Sequence, residues 1–84
     1  MNEHRSSHRR QTLKAAKLLL SGSTLLDCLV RDISETGARL EFPGPSPLPP
    51  EFRLRVVADR TEAPAALAWQ RGLAAGVHFG APLR

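Results

Sequence analysis

Residues 43–50 read Pro-Gly-Pro-Ser-Pro-Leu-Pro-Pro, five prolines in eight positions, at the middle of an 84-residue chain. Proline has no backbone N–H to donate and its ring fixes φ, so neither a helix nor a central strand tolerates that density. The segment is therefore a surface loop, and it divides two runs of the same kind. Before it, Ala38, Leu40 and Phe42 alternate with Arg39 and Glu41; after it, Phe52, Leu54 and Val56 alternate with Arg53 and Arg55. Apolar-in, polar-out alternation is the period of a half-buried strand. Five prolines also suit a ligand of an SH3-type domain, but a loop between two strands accounts for them more simply.

The same reading extends along the chain. Residues 24–32 form a strand with Leu26, Cys28 and Val30 on one side and Asp27, Leu29 and Arg31 on the other. Residues 58–64 are polar and end in Pro64, which reads as a turn or loop. Residues 65–71 and 73–79 are divided by Gly72, and the second run ends with Val77 and Phe79 flanking His78. Residues 11–20 stay open: Leu13, Ala16, Lys17 and Leu20 have helical spacing, yet the segment is short, uncapped and followed by Ser21-Gly22-Ser23, a hairpin connection. Five or six short strands with frequent turn signals and no long helix describe a small all-β barrel or sandwich. Phe42, Phe52, Trp69, Phe79, Leu40, Leu54 and Val77 are its expected core. At this length there is room for one domain and no second core.

Charge separates the chain into two parts. Residues 1–17 carry Arg5, Arg9, Arg10, Lys14 and Lys17 against Glu3 alone, which accounts for the whole formal net charge of +4. Elsewhere basic and acidic residues balance. Residues 1–10 hold no large apolar side chain after Met1, so they cannot pack a core and read as a flexible basic arm. Localised basicity points to a compact anionic partner, whereas a nucleic-acid surface needs a broader footprint and more than the 5% aromatic residues found here. The single cysteine, Cys28, excludes an intrachain disulfide and reads as a small buried hydrophobe in a reducing compartment, placing the chain in the cytoplasm. The N-terminus lacks the apolar core of a secretory signal, and no run approaches the length of a membrane span.

Catalytic chemistry is thinly represented. His4 and His8 fall in the arm without a neighbouring cysteine or carboxylate cluster, so they read as solvated side chains and no metal site is expected. His78 reads as an outward-facing strand residue. No phosphate-binding glycine loop, nucleophile elbow or dinucleotide fingerprint occurs, and the expected protein is no enzyme. What remains is Asp32-Ile33-Ser34-Glu35-Thr36-Gly37, a polar turn in which Gly37 can take φ > 0 and the Asp and Ser side chains can bond nearby backbone. By itself it is either a self-bonded turn or half of an anion site. An arginine fork suits phosphate oxygens and the guanine O6/N7 edge, while an aspartate accepts from guanine N1–H and N2–H₂.

The order Arg5-Ser-Ser-His-Arg9, an Arg-x-x-x-Arg, followed by Asp32-Ile-Ser34-Glu-Thr-Gly37, an Asp-x-Ser-x-x-Gly, resembles the PilZ family of bacterial cyclic di-GMP receptors. The flanking Asp27-Cys-Leu-Val-Arg and Ala38-Arg-Leu-Glu, and the later Leu67-Ala-Trp69-Gln-Arg and Gly76-Val-His-Phe79, are similar to that family's strands. The resemblance implies a six-stranded antiparallel β-barrel of the split-barrel type, with residues 1–12 as a basic arm and 13–84 as one barrel domain. It settles residues 13–20 as the first strand. The family often adds a C-terminal helix, for which the residues up to Arg84 leave no room. It further implies a receptor in which Arg5 and Arg9 grip phosphates and stack on or bond guanine, Arg10 adds a contact, Asp32 and Ser34 bond a guanine, Gly37 permits the turn, and an effector protein receives the signal. The arginine register remains open between Arg5 with Arg9 and Arg10 with Lys14. Two further readings accompany it: a PilZ-like adaptor that binds protein and no nucleotide, and a small nucleic-acid-binding barrel.

Overall fold

The computed structural model describes residues 10–21 and 24–81, with the side chains of Arg10 and Gln11 left aside. Six strands form: β1 (Arg10–Leu19), β2 (Leu25–Ile33), β3 (Gly37–Glu41), β4 (Glu51–Val56), β5 (Thr61–Arg71) and β6 (Ala74–Phe79). All pairings are antiparallel, and the ladder closes as β1-β2-β3-β6-β5-β4. This is the small closed all-β barrel that the alternation and the resemblance led us to expect. No helix among the described residues is long and apolar enough to cross a membrane.

The alternating runs do what their period dictates. Val30, Leu40, Leu54 and Val56 are fully buried in the barrel interior, joined by Leu18 from β1. Burying a side chain of this size contributes about 1.5–3 kcal/mol. Residues 11–19 fold as strand despite their helical spacing, because β2 and β4 flank β1 and pair with it on both sides. Ala16 and Leu18 then face inward. The strand starts at Arg10, three residues earlier than the resemblance placed it, carried on by the pairs of Arg10 with Ile33 and Gln11 with Asp32.

Three expectations require correction. Residues 58–64 are not all loop: β5 begins at Thr61, and Pro64 lies within it opposite Arg53. A strand residue directs its N–H and C=O to the same neighbour, and the Pro64 carbonyl accepts from Gly80 N–H at 2.8 Å. The missing N–H therefore faces the end of β6, where the ladder stops, and β4 loses no bond. Phe79 is only partly buried against the core. Trp69 is not a core residue at all, being 45% exposed. The register of β5 on β6 shifts between Leu67 and Trp69, a bulge at Ala68 that transfers Trp69 to the outer face.

Many of the barrel's outer charges pair with one another. Lys14 bonds Asp59, Lys17 bonds Asp27, Arg31 bonds Glu41, and Arg53 and Arg55 share Glu62. Hydrogen bonds from Arg53 and then Arg55 hold the Glu62 carboxyl below the usual range. Such exposed pairs contribute little to stability, but they neutralise the barrel surface.

Candidate functional site

Arg5 and Arg9 lie outside the described residues, and only the backbone of Arg10 is described. Arg10 opens β1 opposite Ile33, with Gln11 opposite Asp32. The chain thus enters the barrel beside the β2–β3 turn that carries the other motif.

Asp32 is the next-to-last residue of β2. Simple alternation from Val30 would turn it into the core, but a register shift between Val30 and Asp32 sets it opposite Arg39 of β3. Arg39 Nε donates to Asp32 Oδ2 at 3.0 Å; the Asp32 side chain is 7% exposed and that of Arg39 is 46% exposed. A carboxylate withdrawn this far from water requires charge-assisted hydrogen bonding, and Arg39 supplies it.

Ser34 begins the turn. Its N–H donates to Gly37 O at 2.8 Å. Its Oγ accepts from Thr36 N–H at 3.3 Å and lies 3.4 Å from Gly37 O. The turn is pinned from outside by Phe79 N–H, which donates to Thr36 O at 2.9 Å. Gly37 does not have positive φ; Gly72, between β5 and β6, does, at 58°. Glycine is needed at 37 for a different reason, since a Cβ there would overlap the Val77 carbonyl oxygen of β6. The close approach of two backbones replaces the conformational argument.

Register links these residues to others that the motifs omit. Asp32 is opposite Arg39, Arg39 is opposite Gly76, and Gly76 is opposite Trp69, one row across β2, β3, β6 and β5. Gly37 is opposite His78 in the next row. The indole covers Gly76 so closely that a Cβ there would strike its pyrrole edge. Ser34, Thr36, Arg39, Trp69, Gly76 and His78 border a shallow depression of about 160 Å³. Sites that enclose a whole small molecule run to ~300–1,000 Å³, so the barrel face offers part of a ligand site and not an enclosing pocket. Arg39, Trp69 and His78 escaped the sequence reading. Alternation marked Arg39 and His78 only as outward-facing, and it marked Trp69 as inward.

A larger groove, about 700 Å³, runs over the outer face of β1 and β2, floored by Ala15, Leu29 and Val57. Neither Asp32 nor Ser34 borders it. Its rim charges are engaged as Lys17 with Asp27 and Arg31 with Glu41, so it presents no unpaired cation to an anionic ligand. Among the described residues no cluster of three or more His, Cys, Asp or Glu side chains forms a metal site. Cys28 is buried, and its thiol is pushed up to about 12, first by burial and then by the neighbouring charge of Asp27.

The six-stranded closure agrees with a comparison of the sequence with family profiles, in which the PilZ domain matches residues 3–84. The chain belongs to the PilZ family. PilZ domains are in general cyclic di-GMP receptors, and generally act as non-catalytic sensors or adaptors. A search of curated proteins finds no match. Within this PilZ domain, the residues that stand for the family's second motif are Asp32, Ser34 and Gly37, and each has a structural partner as well: Arg39, the turn backbone and Val77 respectively.

Proposed function

We propose that this PilZ domain is a cyclic di-GMP sensor that captures the dinucleotide between its N-terminal arginines and the β2–β3 turn, and passes the signal to a partner protein. Asp32 accepts from a guanine N1–H and N2–H₂, Ser34 bonds beside it, and Arg5, Arg9 and Arg10 grip phosphates and the Hoogsteen edge. The observation that carries this reading is the β1–β2 register, Arg10 with Ile33 and Gln11 with Asp32, because it sets Arg10, at the start of β1, beside the turn. The size of the depression agrees, since a partial site needs a second wall. Trp69, packed against Gly76 and largely exposed, gives a base a ring to stack on. Lys14 Nζ is 2.7 Å from Asp59 Oδ2, so the second cation of the register Arg10 with Lys14 already has a carboxylate beside it, which leans towards Arg5 with Arg9.

Titration calorimetry with cyclic di-GMP tests the proposal. Binding is expected, with Arg9→Ala and Asp32→Ala each weakening it by ~1–3 kcal/mol, the range for bidentate contacts to a base. Equal affinity in Asp32→Ala removes guanine readout by this residue.

One observation favours a second reading. Ser34 is satisfied within its turn and Asp32 is bonded by Arg39, so both residues have structural work without any ligand. A domain that keeps them for that work alone would be an adaptor that binds protein and no nucleotide. It gives no heat with cyclic di-GMP at tens of micromolar ligand, and that result would put it ahead.

A further inference from the structure

Arg39 belongs to neither motif, yet it stands at the centre of the row that joins Asp32 to Trp69. Its guanidinium engages the described residues through one nitrogen only, Nε, on Asp32 Oδ2 at 3.0 Å. A guanidinium carries five N–H donors in one rigid plane. Using the Nε–H on a buried carboxylate fixes that plane; one terminal N–H runs parallel to Nε–H on the same edge, and the other three, the end fork among them, open away from it. The side chain is 46% exposed and borders the depression with Ser34, Trp69 and His78. Arg31, Arg53 and Arg55 differ in this respect: each is paired with the exposed or half-exposed carboxylate of Glu41 or Glu62, and none of them borders that depression.

We propose that Arg39 is a ligand-binding residue of this domain, anchored through Nε on Asp32 and presenting its terminal fork to a phosphate oxygen of the guanine nucleotide that Asp32 reads. The inference rests on the receptor reading above and adds to it a guanidinium supplied by the barrel wall. Two physical arguments carry it. An arginine already held on a carboxylate has lost much of its rotamer freedom before ligand arrives, so little further ordering opposes the contact. The phosphate also needs a cation near Asp32, whose own negative charge would otherwise repel it, and Arg39 is a cation that the described residues set there. One planar group bonding a carboxylate with one edge and a phosphate with the other is geometry that lysine cannot reproduce.

The test is calorimetric titration of the full chain with cyclic di-GMP at several salt concentrations, for wild type, Arg39→Gln and Arg39→Lys, with thermal melts as the check on folding. A phosphate contact predicts that Arg39→Gln loses roughly tenfold or more in affinity and shows a shallower dependence of log K on log salt. Arg39→Lys, which retains the charge, restores the salt dependence but not the full affinity. Affinity in Arg39→Gln within twofold of wild type overturns the inference. So does a loss that leaves the salt dependence unchanged, since Arg39 would then only hold Asp32 in place. Should Arg39→Gln not fold, Arg39→Lys decides: affinity equal to wild type overturns the anchored fork, and reduced affinity with the salt dependence kept supports it. Wild type that binds while Arg39 variants match it defeats this inference alone; wild type that binds nothing defeats the receptor reading and this one with it.

Discussion

Gly37 and Val77 approach across β3 and β6 until no side chain fits at position 37: a Cβ there would overlap the Val77 carbonyl oxygen. The obstacle is backbone, which cannot swing aside as a side chain does. Gly37→Ala is therefore expected to destabilise the barrel by about 1–3 kcal/mol, the usual cost of overpacking. Urea unfolding measures it, and an unchanged midpoint would show that β3 yields without strain. Because Ser34 and Thr36 bond into the same turn, the variant should also weaken nucleotide binding.

Gly76 presents the contrasting case. A methyl there strikes the Trp69 indole, the far end of a movable side chain. Gly76→Ala should cost less stability than Gly37→Ala while displacing the ring. Trp69 is the only tryptophan of the chain, so its fluorescence reports the displacement directly. A changed emission maximum is expected, and identical spectra in the two proteins would contradict a ring seated on Gly76.

Cys28 gives the chain a signature at alkaline pH. Its ordinary value of 9.0 is raised to about 12 by burial, then by Asp27. Below pH 9 the thiol is protonated in both folded and unfolded chains and contributes no pH dependence. Between about 9 and 12 the unfolded chain releases a proton that the native barrel retains, so stability falls as pH rises through that window. Folded protein at pH 8 should resist thiol alkylation, and denatured protein should react readily. Rapid labelling of the native state would mean that β2 opens far more often than its burial implies.

The strands were legible because alternation survives wherever one face is buried, and the proline-rich loop announced itself by chemistry that admits no other outcome. The site was legible only in part. Parity along a strand can be counted until a bulge intervenes, and two of the bulges fall next to Asp32 and Trp69. Each reverses the face that counting assigns, so Trp69 was placed in the core, and the outward row from Asp32 through Arg39 to Trp69 could not be assembled from sequence. Arg39 looked like any exposed strand arginine, since nothing local tells a surface charge from one opposite a buried carboxylate two strand ends away. The sequence offers Gly37 a positive φ that it does not adopt; the constraint that calls for glycine comes from Val77, forty residues on.

The closure of β1 on β4 has a consequence for how such a domain can speak to another protein. A sheet with a bare margin can recruit a partner by accepting one more strand, reading little beyond backbone. Here each strand already has a neighbour on both sides over at least part of its length, which leaves that route little room. Recognition then falls mainly to side chains, so on the receptor reading proposed above a partner that responds to occupancy would have to recognise the altered relief of the surface around the β2–β3 turn.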